Sequence, residues 1–99
     1  MGNMFNQAFV FNQDIGNWDV SNVTSMLTMF NGAVSFNQNI SAWDVSSVST
    51  MAFMFQNATN FNQNLTGWSV ANVTECSLFN GGTSGLSDNN LPNFTNCTP

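Results

Sequence analysis

A 25-residue repeat runs through this chain without an insertion. It reads Phe-Asn-Gln-x-Ile/Leu-x-x-Trp-Asp/Ser-Val-x-x-Val-Thr/Ser, passes through a Met/Phe-rich run and begins again. Phe11, Phe36 and Phe61 are in phase, as are Ile15, Ile40 and Leu65, and Trp18, Trp43 and Trp68. The Met/Phe-rich run keeps the same phase through Met26 and Met51, through Met29 and Met54, and through Phe5, Phe30 and Phe55. Self-similarity at a period of roughly 20–50 residues is the mark of a solenoid, in which each repeat buries its apolar face against its neighbours. The expected fold class is therefore an α/β solenoid. It would be a leucine-rich-repeat-like, right-handed stack of 25-residue coils with short parallel strands and short helices. The alternative is an all-strand parallel β-helix. Residues 1–79 would hold the repeats and residues 80–99 a C-terminal cap.

The middle repeat shows why both helix and strand are expected. Met51, Met54, Phe55 and Ala58 fall at i, i+3, i+4 and i+7, one face of a short helix, with Ser49 or Thr50 as N-cap. Residues 61–65 read as a short strand, and residues 68–73 as a turn with a second extended segment. Stacking would align Asn12, Asn37 and Asn62 in one column and Gln13, Gln38 and Gln63 in another. Amides stacked in this way donate and accept along the column, which gives them a structural role. The Trp and Phe columns are expected in the core rather than as a sugar-stacking platform.

Composition removes several functions. The chain has no Lys, Arg or His and five acids, whereas an ordinary domain is about a quarter charged. Nothing can neutralise phosphates, so nucleic acid is excluded as a partner. The same lack of cations argues against anionic lipid surfaces. No apolar run approaches the roughly 20 residues that span a bilayer, so membrane insertion is not expected. A Ser or Cys nucleophile would lack its usual base, so no enzyme and no cofactor are expected. Ten Phe and three Trp in a regular register exclude a disordered acidic chain.

The two ends differ. Met1 shares the register of Met26, Met51 and Cys76, so the chain is expected to begin inside a repeat. The Met1–Phe5 face would then meet upstream repeats or another copy of the chain. At the other end the pattern decays after Val73, and turn-forming residues follow. There Leu86, Leu91 and Phe94 can cover the last coil. Cys76 and Cys97 can close a disulfide or remain two separate thiols; a disulfide would place the chain in an oxidising compartment.

The runs Trp18-Asp19-Val20-Ser21-Asn22-Val23-Thr24-Ser25-Met26 and Met29-Phe30-Asn31-Gly32-Ala33, leading into Phe36-Asn37-Gln38, resemble the repeats of BspA-like leucine-rich-repeat surface proteins. These are also known as the mycoplasma-lipoprotein-type repeat. The resemblance covers roughly residues 1–79, and the tail from Leu91 to Cys97 resembles the stretch that closes some such arrays. It implies a leucine-rich-repeat-like solenoid, a cell-surface or secreted location, and adhesion or matrix contact. It supplies no ligand and no catalytic residue. The array here is short, and Ser69 stands where the other repeats have Asp19 and Asp44.

Some residues could carry chemistry. Asn22, Asn39, Asn57, Asn64, Asn72, Asn93 and Asn96 each open an N-x-Ser/Thr sequon, a glycan acceptor in a secreted eukaryotic protein. An Asn/Thr-rich repeat also creates sequons by composition alone. Asp19 and Asp44 share a column and could bridge a calcium ion, although an Asx-turn explains Asp-Val-Ser equally well. Asn22 and Thr24, with Ser47, Ser49, Asn72 and Thr74, would form two polar columns, a remote match to an ice-binding face. The expected function is a non-enzymatic extracellular repeat module for cell-surface adhesion or matrix contact, binding a glycan or an extracellular protein. The alternative is a subunit of an extracellular fibre built by head-to-tail stacking, glycosylated or bare.

Overall fold

The computed structural model describes residues 1–99. Its one regular element is a 3₁₀ turn, Asp88–Asn90. All 40 backbone–backbone hydrogen bonds lie outside helices and strands, so turns and contacts between successive repeats hold the chain together.

Those contacts follow the repeat. Four segments, residues 1–8, 26–33, 51–58 and 76–83, lie side by side as a row. The N–H groups of Met26, Thr28, Phe30 and Gly32 donate to the carbonyls of Thr50, Ala52, Met54 and Gln56 at 2.8–3.0 Å. Those of Met51, Phe53, Phe55 and Asn57 donate in the same way to Glu75, Ser77, Phe79 and Gly81. Asn3, Phe5 and Gln7 donate to Leu27, Met29 and Asn31. Every bond of this ladder runs from an earlier layer to a later one. In a parallel β-ladder each residue would instead use its N–H and its C=O toward the same neighbour.

One-way bonding requires a backbone that places N–H groups on one side and C=O groups on the other. Two left-handed columns provide it. Asn3, Thr28, Phe53 and Leu78 have φ of 63°, 55°, 59° and 51°. Gln7, Gly32, Asn57 and Gly82 have φ of 58°, 71°, 60° and 62°. Left-handed backbone costs a non-glycine residue on the order of 1–3 kcal/mol. The cost recurs in register because the interlayer bonds fix the same geometry in each layer. Gly82 suits its place in two ways: it takes a left-handed φ without strain, and its missing Cβ leaves room for the Asn57 Oδ1.

This geometry corrects the expected α/β solenoid. Met51, Met54, Phe55 and Ala58 are all fully buried, but they belong to consecutive turns. Met54 N–H donates to Met51 O and Ala58 N–H to Phe55 O. The N–H groups between them, of Phe53, Phe55 and Asn57, go to the next layer rather than back four residues, and positive φ at Phe53 and Asn57 breaks a right-handed helix. The strands are absent for a related reason. Asn62 N–H donates to the side-chain Oδ1 of Asn37 at 3.0 Å, so a side chain occupies the place of a backbone rung. Parallel pairing is confined to the isolated bridges Ser25↔Thr50 and Thr50↔Glu75. There is accordingly no sheet and no parallel β-helix.

The core is one cluster of stacked columns. Phe30 and Phe55 stack at 5.3 Å, Phe36 and Phe61 at 5.6 Å, and Trp43 and Trp68 at 6.4 Å. Each buried indole also bonds back one layer: Trp43 Nε1 donates to Ile15 O at 3.0 Å and Trp68 Nε1 to Ile40 O at 3.1 Å. Trp18 departs from the expected core. It is 43% exposed, against 4% for Trp43 and for Trp68, because it is first in its column and packs on the half-buried Phe5 ring at 5.9 Å. Phe11 is likewise half-buried, whereas Phe36 and Phe61 are fully buried.

The tail acts as a fourth layer despite losing the repeat sequence. Leu65 N–H donates to Asn90 O at 2.9 Å, Ser87 N–H to Asn62 Oδ1 at 3.1 Å, and Asn96 Nδ2 to Ala71 O at 2.6 Å. Each of these pairs is 25 residues apart. Leu86 is buried, and Phe94 meets Phe79 edge-on at 5.1 Å. A disulfide joins Cys76 to Cys97 with Cα atoms 5.9 Å apart.

Candidate functional surface

The residues singled out by sequence fall on the rim of the layers, and no pocket gathers them. The amide columns are the most ordered part of that rim. Asn12 Oδ1 accepts from Asn37 N–H at 2.9 Å and from Gln38 Nε2 at 3.0 Å. Asn37 Oδ1 accepts from Asn62 N–H at 3.0 Å and Gln63 Nε2 at 2.9 Å. In the tail Ser87 N–H and Asn90 Nδ2, at 2.9 Å, perform the same two tasks on Asn62 Oδ1. One carbonyl oxygen with two acceptor directions thus fixes each step.

Two Asx-turn columns lie beside it. Asp14, Asn39 and Asn64 accept, through Oδ1, the N–H groups of Gly16, Ser41 and Thr66 at 3.0 Å each. Asp19 Oδ1 accepts from Ser21 N–H at 3.0 Å and from its hydroxyl at 2.6 Å, and Asp44 treats Ser46 identically. The Ser21 and Ser46 hydroxyls, then their N–H groups, hold both carboxyls below the usual carboxylate range; partial loss of hydration, and for Asp44 the neighbouring Asp19, push the other way without reversing it. Asp19 and Asp44 are therefore turn-forming carboxylates, and no third acid, Cys or His joins them.

All the sequon asparagines are exposed, but their amides are not equally free. Asn72 Nδ2 donates to Ser46 O at 2.8 Å and Asn96 Nδ2 to Ala71 O. Asn57 Oδ1 accepts from Thr83 N–H at 3.0 Å. Asn64 Oδ1 accepts the Thr66 hydroxyl at 2.7 Å, which leaves its Nδ2 facing water. Asn22, Thr24, Ser47, Ser49, Asn72 and Thr74 are each exposed, and Thr24, Ser49 and Thr74 stack, with Ser49 N–H donating to Thr24 O and Thr74 N–H to Ser49 O at 2.9 Å. Sequence reasoning missed the two left-handed columns and the one-way ladder. The signal was slight: Gly32 and Gly82 alternate with Gln7 and Asn57 at one register position.

The rim is chemically uniform. It offers amides, hydroxyls and a few apolar groups, among them Phe9, Val10 and Leu27, with no cation to set against five acids. Such a surface can hydrogen-bond and pack, but it cannot steer an anionic ligand from a distance.

No curated protein and no solved structure matches the chain. Residues 1–94, the repeats with most of the tail, match the profile of a family described as Mycoplasma protein of unknown function, DUF285, and the chain belongs to that family.

Proposed function

We propose that the chain is a non-enzymatic, extracellular or cell-surface repeat module for adhesion or matrix contact, of the BspA-like kind that its motifs resemble. The observation that carries this reading is the exposed face of Asn22, Thr24, Ser47, Ser49, Asn72 and Thr74. It repeats uncharged polar groups from layer to layer; the Asn72 amide and the Ser49 hydroxyl donate to Ser46 O and Thr24 O, which leaves the Asn22 amide and the Thr24, Ser47 and Thr74 hydroxyls for a glycan or an extended protein ligand. The Cys76–Cys97 disulfide supports an oxidising compartment. The test is binding of the immobilised chain to an array of glycans and matrix proteins. Saturable binding that falls about tenfold in Ser47→Arg, about 1.4 kcal/mol, is the expected result. No hit across the array, or a hit indifferent to Ser47→Arg, contradicts it.

The second reading, an extracellular fibre subunit, is favoured by a separate observation. The ladder leaves carbonyls unpaired at one end and N–H groups unpaired at the other. Non-closing contacts between such unlike ends build filaments. Electron microscopy of concentrated protein tests it, with filaments expected and dispersed particles against it.

A further inference from the structure

We propose that the open edge of the last row segment, at Leu78, Asn80 and Gly82, docks the first row segment of a second copy through backbone hydrogen bonds. This rests on the fibre reading and names the interface that it would use.

The argument begins with the direction of the ladder. Within the chain each ladder N–H donates to a carbonyl 24 residues later: Thr28 to Ala52, Phe30 to Met54, Gly32 to Gln56. In the last segment the equivalent N–H groups belong to Leu78, Asn80 and Gly82, and they donate to nothing within the chain. In the first segment the carbonyls equivalent to those of Leu27, Met29 and Asn31 belong to Gly2, Met4 and Asn6, and they accept nothing within the chain. One edge is all donor and the other all acceptor. Continuing the same spacing into a second copy pairs Leu78 with Gly2, Asn80 with Met4 and Gly82 with Asn6. Neither edge can pair with its own kind, so the contact is head to tail.

Accessibility and packing agree with this pairing. Gly2, Met4, Asn6, Leu78 and Gly82 are exposed, and Asn80 is half-exposed. The left-handed φ of Leu78 and Gly82, 51° and 62°, already matches that of the segments inside the stack, so the edge is shaped for another layer before one arrives. Met4 is 50% exposed although Met29 and Met54 in its column are fully buried. A layer laid against it would restore that burial.

The tail leaves room for the rest of the second copy. It bonds to residues 62, 65 and 71 with the 25-residue offset of a true repeat, so it extends the stack by one layer rather than folding across the row. A second copy would rest its residues 11–24 on the tail and its residues 1–8 on residues 76–83. The aromatic groups left open at the leading end, Trp18 and the half-buried Phe5 and Phe11, would then lie over the tail.

The test is backbone amide hydrogen exchange followed by NMR on the intact, disulfide-bonded chain, as concentration is raised and association is followed by sedimentation. Phe30 and Phe55 amides should be protected throughout. The amides of Leu78, Asn80 and Gly82 should exchange freely in the dilute protein and slow at least about tenfold as particles grow. Leu78→Lys, a change at an exposed side chain, should keep the circular dichroism spectrum and disulfide while weakening association at least about tenfold, about 1.4 kcal/mol. Growth of particles with these three amides still exchanging freely overturns the interface and leaves the fibre reading standing. A chain that stays monomeric at millimolar concentration overturns both.

Discussion

The two ends of this molecule carry opposite solutions to one problem. At the leading end the repeat sequence is intact, yet Trp18 is 43% and Met4 50% exposed. At the trailing end the repeat has decayed, yet Phe79 and Cys76 are fully buried. Burial here depends on the presence of a neighbouring layer and much less on the motif itself. The tail shows what suffices to stand in for a layer. Ser87, Asn90 and Asn96 reproduce the hydrogen bonds, Leu86 and Phe94 fill the core, and a disulfide fixes the position.

The largest expected effect separates identical residues in different layers. Trp43→Ala should cost about 3–5 kcal/mol, because it empties a stacked column and removes the Nε1 bond to Ile15 O. Trp18→Ala should cost less than about half as much. Equal losses in urea denaturation would mean that the first layer is as well packed as the second.

Breaking the tail comes next. A Cys76→Ala/Cys97→Ala variant should lose roughly 3 kcal/mol, with faster exchange confined at first to residues 76–97. A uniform loss through the first layer would mean that the tail is not a separable cover. Asn37→Ala should cost about 1 kcal/mol, since Asn62 N–H and Gln63 Nε2 lose their shared acceptor but remain open to water. Asn12→Ala should behave alike, which makes the pair a test of whether the amide column is equivalent from layer to layer.

The smallest effect concerns pH. The Ser46 hydroxyl and N–H hold the Asp44 carboxyl below its usual value. A carboxyl depressed by folding contributes stability that is complete above the unfolded pKa, near 4, and is lost as pH falls through the lower folded pKa. Ser46→Ala should therefore raise the Asp44 pKa and flatten the acid limb of the stability curve. NMR titration of the carboxyl carbon reads this directly, and an unchanged Asp44 pKa would remove the Asx-turn hydroxyl from the explanation.

Much of this was legible in sequence, but unevenly. The 25-residue phase identified Ile40, Trp43, Val45, Met51 and Phe55 as inward-facing, because inward position is a property that each side chain declares. The amide columns and the turns at Asp19 and Asp44 were legible for the same reason, although not the bonding of the amides: Gln38 and Gln63 donate across to Asn12 and Asn37 rather than along their own column. The backbone was not. The i, i+3, i+4, i+7 spacing of Met51, Met54, Phe55 and Ala58 is shared by a helix and by a chain of three-residue turns. What separates them is the destination of the Phe53 and Phe55 N–H groups, Ser77 and Phe79 in the next layer, which no local pattern contains. The left-handed angle at Phe53, 59°, is also contrary to its own propensity; the layers on either side impose it. The polarity of the ladder, and with it the unlike character of the two edges, follows from peptide orientation and leaves no trace in residue type.

The most direct measurement is NMR of scalar couplings across hydrogen bonds in the isotope-labelled chain. One-way layering predicts couplings from Thr28 N to the Ala52 carbonyl carbon and from Phe30 N to that of Met54, with none in the reverse direction. Couplings from Phe55 N to the Met51 carbonyl carbon and along residues 49–58 at four-residue spacing would restore the helix and contradict the one-way stack.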